Sequence, residues 1–312
     1  TYNGADLGNM TCLGYGRINL RGTIQNAGQT LSLRGFANGN IRLVSATVIG
    51  GRIETTRIDA GGYVWIGQEY DGGAAAVLDG VTLSGEIVLS EEHVVTIRNG
   101  LTLDNGVFAL GAPSPFANFG VLNFTGTQTL GGAGTVEYRL YNSAVRTSAG
   151  SVLTIGAGVT IWMNASYGSL GDPAGGSVVN EGLIRVGGPA AAGLTISGPF
   201  FNRGQLRGEN GTISIQGTIT TANLGDFATN GQYGLLRIQG TLNNQGATIN
   251  LSEATGSIGF WTGSTILGGT INATPAMRMK AGAGLILDGV TLGVYTIVGS
   301  DTVIRNGLTL NS

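Results

Sequence analysis

The stretch YGRINLRGTIQNAGQTLSL (residues 15–33) returns as YGLLRIQGTLNNQGATINL (residues 233–251). Eight of the 19 positions are identical, and four others only exchange Ile and Leu. Working outward, ADLG (5–8) matches ANLG (222–225), and VIGGRI (48–53) matches ILGGTI (266–271). LDGVTL occurs at 78–83 and 287–292, and IRNGLTL occurs unchanged at 97–103 and 304–310. The offset drifts from 217 or 218 to 209 and then 207 while the order is kept, so short insertions or deletions separate collinear copies. A self-similar chain of this kind is a repeat architecture. Residues 1–221 form a first unit, whose repeat starts near residue 5, and residues 222–312 begin a second copy that continues the same solenoid. The amino-terminal TYNGADLGNMTC has no initiator Met, basic segment or apolar segment of a secretion signal, and IRNGLTLNS stops in mid-pattern. We therefore expect a processed or excised piece of a longer protein, with further copies beyond both ends.

A finer period lies inside each unit. Asp79-Gly80 and Asn99-Gly100 are 20 residues apart, and Asp288-Gly289 and Asn306-Gly307 are 18 apart, each followed by an aliphatic-Thr-Leu run. Asn-x-Gly recurs at Asn26, Asn118, Asn180, Asn202 and Asn244. Residues that tolerate positive φ, set beside short β-branched or aliphatic runs, mean short strands cut by tight corners. YVWIG (63–67), GVTIWM (158–163) and GTISIQGTIT (211–220) are the clearest such runs. One coil of 18–22 residues cannot bury its own apolar face, but coils stacked at about 4.8 Å share a continuous core. The fold expected is an all-β parallel β-helix solenoid. On that coil length it has about 15 coils, a rod of order 70 Å, and roughly 50 Å per unit.

Composition removes the alternatives. Glycine supplies 57 of the 312 residues but not every third one, so a collagen helix is excluded. Charged residues are 11% of the chain, the net charge is −2, and Lys280 is the only lysine. That leaves no basic field for nucleic acid. No apolar run is long enough for a membrane helix, and the strand-like runs are too short for a membrane barrel, so membrane insertion is not expected. Cys12 is alone and can form neither an intrachain disulfide nor a cysteine zinc cluster.

The Asn-x-Gly corners, the LDGVTL and IRNGLTL coils and the near absence of Cys and Lys resemble those of the pectin-lyase-like right-handed parallel β-helices. Within these they are most similar to repetitive surface adhesins of the filamentous-haemagglutinin and autotransporter type. The resemblance implies right-handed coiling and an extracellular or cell-surface location. It also implies a structural or adhesive role as a fibre, with self-assembly end to end or laterally and with surface glycans as partners. The other branch it opens is a carbohydrate-active β-helix, a lyase, hydrolase or tailspike-like module. That branch would need a cleft lined by three or more acids and an Arg from adjacent coils.

No residue pattern points to catalysis, a cofactor or a metal. His93 stands beside Glu91 and Glu92, but the second copy has VGSDTV there, so the unit does not carry the cluster. The residues singled out are structural: Asn26, Asp79, Asn99, Asn118, Asn180, Asn202, Asn244, Asp288 and Asn306. Asp in an Asp-Gly turn can bond its own backbone two residues on. Stacked Asn amides can satisfy one another along a solenoid. Arg98 and Arg305 read as surface or coil-to-coil contacts, and Trp65, Trp162 and Trp261 as strand or core residues.

Overall fold

The structure is a computed structural model. It describes the chain apart from residues 14, 36–39, 58–62, 69–72, 90–91, 112–118, 189–191, 231–232, 278, 294–295, 298–300 and 312. Inward and outward residues alternate along the strands, as the pleat requires when one face meets a core. In the strand Ala76–Ser84, Ala76, Leu78, Val81 and Leu83 point inward and are buried. Leu78 and Val81 are three apart rather than two, and Gly80, at φ +62°, absorbs the extra residue. Its partner His93–Leu110 does the same over four residues, from Ile97 to Leu101, with Asn99 at φ +52° and Gly100 at φ +87°. The ladder slips at this point so that Leu78 pairs with Ile97 and Val81 with Leu101. The Asp-Gly and Asn-Gly pairs are thus kinks inside continuous strands, not loops between them.

Every strand pairing is parallel, and successive strands climb one axis to give a parallel β-solenoid. One continuous core of Leu, Ile, Val and Phe runs inside it. Each such side chain removed from water contributes about 1.5–3 kcal/mol towards the entropy cost of ordering the coils. Tyr138 lies wholly within this core. Its hydroxyl donates to the Ser169 carbonyl at 2.8 Å and accepts from the Val145 amide at 3.1 Å, while burial pushes the phenol far above its usual range.

Coil length departs from the 18–22 residues expected. Pairing carries Tyr2 to Ile24, Val48, Leu78, Ile97, Phe124 and Thr147, steps of 22, 24, 30, 19, 27 and 23 residues. Only the carboxy-terminal steps, such as Ile266 to Leu287 and Leu287 to Ile304, fall to 21 and 17. The coils are therefore fewer and longer than expected, and one unit spans on the order of 40 Å rather than 50 Å. The difference arises because the Asp-Gly and Asn-Gly spacing samples the shortest coils of each copy.

The two copies share their local geometry. Short helices Gly4–Leu7 and Thr221–Leu224 are capped by the side chains of Asn3 and Thr220 and end at Gly8 and Gly225, with φ of 55° and 56°. The ladder crosses the copy boundary unbroken. Gly211–Thr220 pairs with Leu235–Asn243 from Thr212↔Leu235 to Thr220↔Asn243 with no register shift.

Candidate functional site

The Asn-x-Gly residues lie at corners, where the strand ladder is interrupted and backbone carbonyls would be left buried without partners. Asn26, Asn180, Asn202 and Asn244 all turn inward and are buried. Asn26 Nδ2 donates to the Arg52 carbonyl at 2.9 Å, and Asn244 Nδ2 to the Thr270 carbonyl at 3.1 Å. Asn202 Nδ2 donates to the carbonyls of Leu224 and Asp226, at 2.8 and 3.0 Å. Amide-to-amide stacking occurs between Asn180 and Asn202, at 2.8 Å, whereas the other side chains bind the backbone of the next coil.

The outward residues behave differently from expectation. Asp79 accepts from Asn99 Nδ2, and Asp288 from Asn306 Nδ2, each at 2.6 Å. Both Asp side chains therefore bind a neighbouring coil, where a bond to their own backbone was expected. Arg98 and Arg305 stand in register with Asp79 and Asp288 on exposed coil surface. Asn118 and Glu91 lie outside the described residues. The His93 ring packs on the backbone of Gly67. Among the described residues, no group of three or more His, Cys, Asp or Glu could hold a metal ion, and Cys12 is buried.

An Arg from an adjacent coil stacks on each tryptophan. Arg42 lies 5.5 Å from the Trp65 ring centroid, Arg185 5.6 Å from that of Trp162 and Arg237 4.7 Å from that of Trp261. Two of these arrangements are closed. Trp65 is buried, with its Nε1 donating to Asn40 Oδ1 at 2.9 Å. Trp162 donates to the Gly187 carbonyl at 3.1 Å, and Arg185 binds Glu209 at 2.6 Å. Trp261 is the exception to the expected strand or core placement: it follows the strand Ile258–Phe260 and is 50% exposed.

Trp261 borders a lateral groove of about 530 Å³ on the rod. An outward row of the ladder runs Ser169, Thr195, Ser214, Arg237, Gly259 and Lys280, one residue per coil. Gly259 places no side chain between Arg237 and Lys280. Exposed Tyr167, Tyr233 and Trp261 form the rim, and Thr212, Ser214 and Gln239 add neutral polar groups. No lining residue is a carboxylate. Arg237 makes no hydrogen bond or ion pair with any described residue. Burial lowers its pKa, and the nearby Tyr167 only partly offsets this.

The groove was not read from the sequence, because Tyr167, Arg237, Trp261 and Lys280 converge only through the ladder register. One signal was present: period-two alternation past buried Phe260 assigns Trp261 to the outside.

These features define a parallel β-solenoid with a lateral aromatic and cationic groove. No family model matches the chain, and no curated protein matches it. Among solved structures, a TibC-catalysed, hyper-glycosylated TibA fragment is similar over 100% of this chain and 99% of its own. The identity is 14% and the TM-score 0.34.

Proposed function

We propose that the protein is a non-catalytic structural and adhesive module of an extracellular or cell-surface fibre, in which repeat units stack along one solenoid axis. The observation that carries this reading is the copy boundary. Nine residues of Gly211–Thr220 pair in unbroken register with the first long strand of the next copy, so unit joins unit without a linker. The last strand, Val303–Leu310, supports it. Ile304 is 54% exposed there, whereas Ile97, its counterpart in the first copy, is fully buried beneath Phe124 of the following coil. The first copy shows what such a face accepts: one more coil, added by parallel pairing. Low charge density permits close lateral packing of neighbouring rods. Surface glycans are the partners of the adhesive role.

Electron microscopy of native material tests the proposal. Long filaments with an axial repeat on the order of 40 Å are expected from coil stacking. Discrete short rods would overturn the fibre reading and leave the fold intact.

A further inference from the structure

The rod surface is neutral or ion-paired at most of its charged positions. Arg52 binds Asp104 at 2.6 Å, Arg185 binds Glu209 at 2.6 Å, and Arg207 binds Asp226 at 2.7 Å. Arg139 is held between Glu86 and Glu137. Arg237 differs from all four. It is partly buried between coils and held over the indole of Trp261, with no carboxylate among the described residues to compensate it. A guanidinium that has given up water without gaining an anion retains unsatisfied donors in a fixed fork.

Lys280 stands two coils further along the same outward row, about 10 Å from Arg237 at the coil spacing. Two positive charges therefore face one groove whose lining has no acid. Around them lie two tyrosine rings and one half-exposed indole, surfaces that pack on the apolar faces of sugar rings. Gln216 Nε2 donates to Gln239 Oε1 at 3.2 Å, which fixes that amide and leaves its own Nε2 turned to the groove as a further donor. Hydroxyls of Thr195, Thr212 and Ser214 complete a polar floor. The coil repeat sets a regular axial spacing of donors, which suits an extended chain lying along the rod more than a compact ligand.

We infer that this groove binds an anionic saccharide, a sugar chain bearing carboxylate or sulfate groups, with Arg237 and Lys280 on the anions and Trp261, Tyr167 and Tyr233 on the rings. The inference deepens the adhesive part of the proposed function and rests on it. Binding by the isolated chain does not require filaments, so the two readings can fail separately.

The test is titration of the purified chain with four probes: a hyaluronan oligosaccharide, a chondroitin sulfate oligosaccharide, maltohexaose and poly-L-glutamate. Binding is followed by calorimetry and tryptophan fluorescence. Saturable binding of one or both acidic oligosaccharides is expected, weakening as salt is raised, with none for maltohexaose. Arg237→Gln should weaken it at least tenfold. Trp261→Phe should remove most of the fluorescence response, because the other two tryptophans sit in closed contacts. Arg185→Gln, at the equivalent contact outside the groove, should leave affinity unchanged. Circular dichroism of each variant confirms that the rod is intact. Failure of both acidic oligosaccharides to bind would overturn the inference, as would equal binding of maltohexaose or poly-L-glutamate, or undiminished affinity in Arg237→Gln. Binding by a chain that forms no filaments would retain the groove and remove the fibre.

Discussion

Asn180 donates its side-chain amide to Asn202 Oδ1 at 2.8 Å inside the solenoid, and Asn202 passes two bonds on to the carbonyls of Leu224 and Asp226. The pair links three successive coils at one corner. Asn202→Leu would orphan one donor and two acceptors in a dry interior, and should cost about 3 kcal/mol. Asn202→Asp separates the donor role from the acceptor role. A carboxylate can still accept from Asn180 but would face two carbonyls. Burial and those carbonyls should raise its folded-state pKa above the unfolded value of about 3.9. A raised folded pKa favours the folded state below the unfolded pKa, and that advantage is lost as pH rises through the folded value. The Asn202→Asp penalty, measured against the native chain by urea denaturation, should therefore be larger at pH 7 than at pH 4. Equal penalties would show that the site is not dry.

Gly51 and Gly269 occupy equivalent corners at φ +69° and +70°, and a Cβ on either would overlap the carbonyl of Asn26 or Asn244. Gly51→Ala and Gly269→Ala should each cost about 3 kcal/mol, from the left-handed backbone together with the overlap. The sites are about nine coils apart, so the double variant should lose the sum. Thermal unfolding of the three variants checks both the size and the additivity.

The copies differ in one buried bond. Thr221 Oγ1 donates to Asn244 Oδ1 at 2.6 Å, while the first copy has Gly4 at that position and Asn26 Oδ1 has no partner among the described residues. Gly4→Thr should supply the bond and stabilise the chain by about 1 kcal/mol. The Asn26 side chain must shift to admit the new Cβ, as Asn244 already accommodates Thr221. A fall in melting temperature would mean that the first corner cannot adopt the geometry of the second.

Arg139 bridges Glu86 at 2.8 Å and Glu137 at 2.7 Å, and Asn164 Nδ2 also donates to Glu137 at 3.2 Å. Burial works against the Arg139 charge, yet the two carboxylates outweigh it and hold its pKa above the usual value. Arg139→Met would leave the largely buried Glu137 without its cation. The cost should be roughly 2 kcal/mol, less than for a fully buried pair because solvent reaches all three groups. Adding Glu137→Gln should recover part of the loss in a double-mutant cycle.

Much of this fold was legible because the solenoid is built from local signals. Leu78-Asp79-Gly80-Val81 shows both the inward aliphatics and the kink that keeps them inward, and its recurrence at 287–290 marks the repeat. Coil length was not legible. The spacing of Asp79 to Asn99 reflects the shortest coil of the first copy, while Val48 to Leu78 takes 30 residues through a segment with no corner motif. Inward asparagines could not be told from outward ones, because Asn26 and Asn99 both precede glycine and only burial separates them. The groove depends on register across six coils, which neither repeat nor composition encodes.

The central claim is that units join as one uninterrupted solenoid. It is tested most directly by measuring, in electron micrographs, rods made from one, two and three tandem copies of residues 5–221. The account predicts that each added copy lengthens the rod by about 40 Å at constant width. Bead-like particles with gaps, or rods whose length does not grow with copy number, would contradict it.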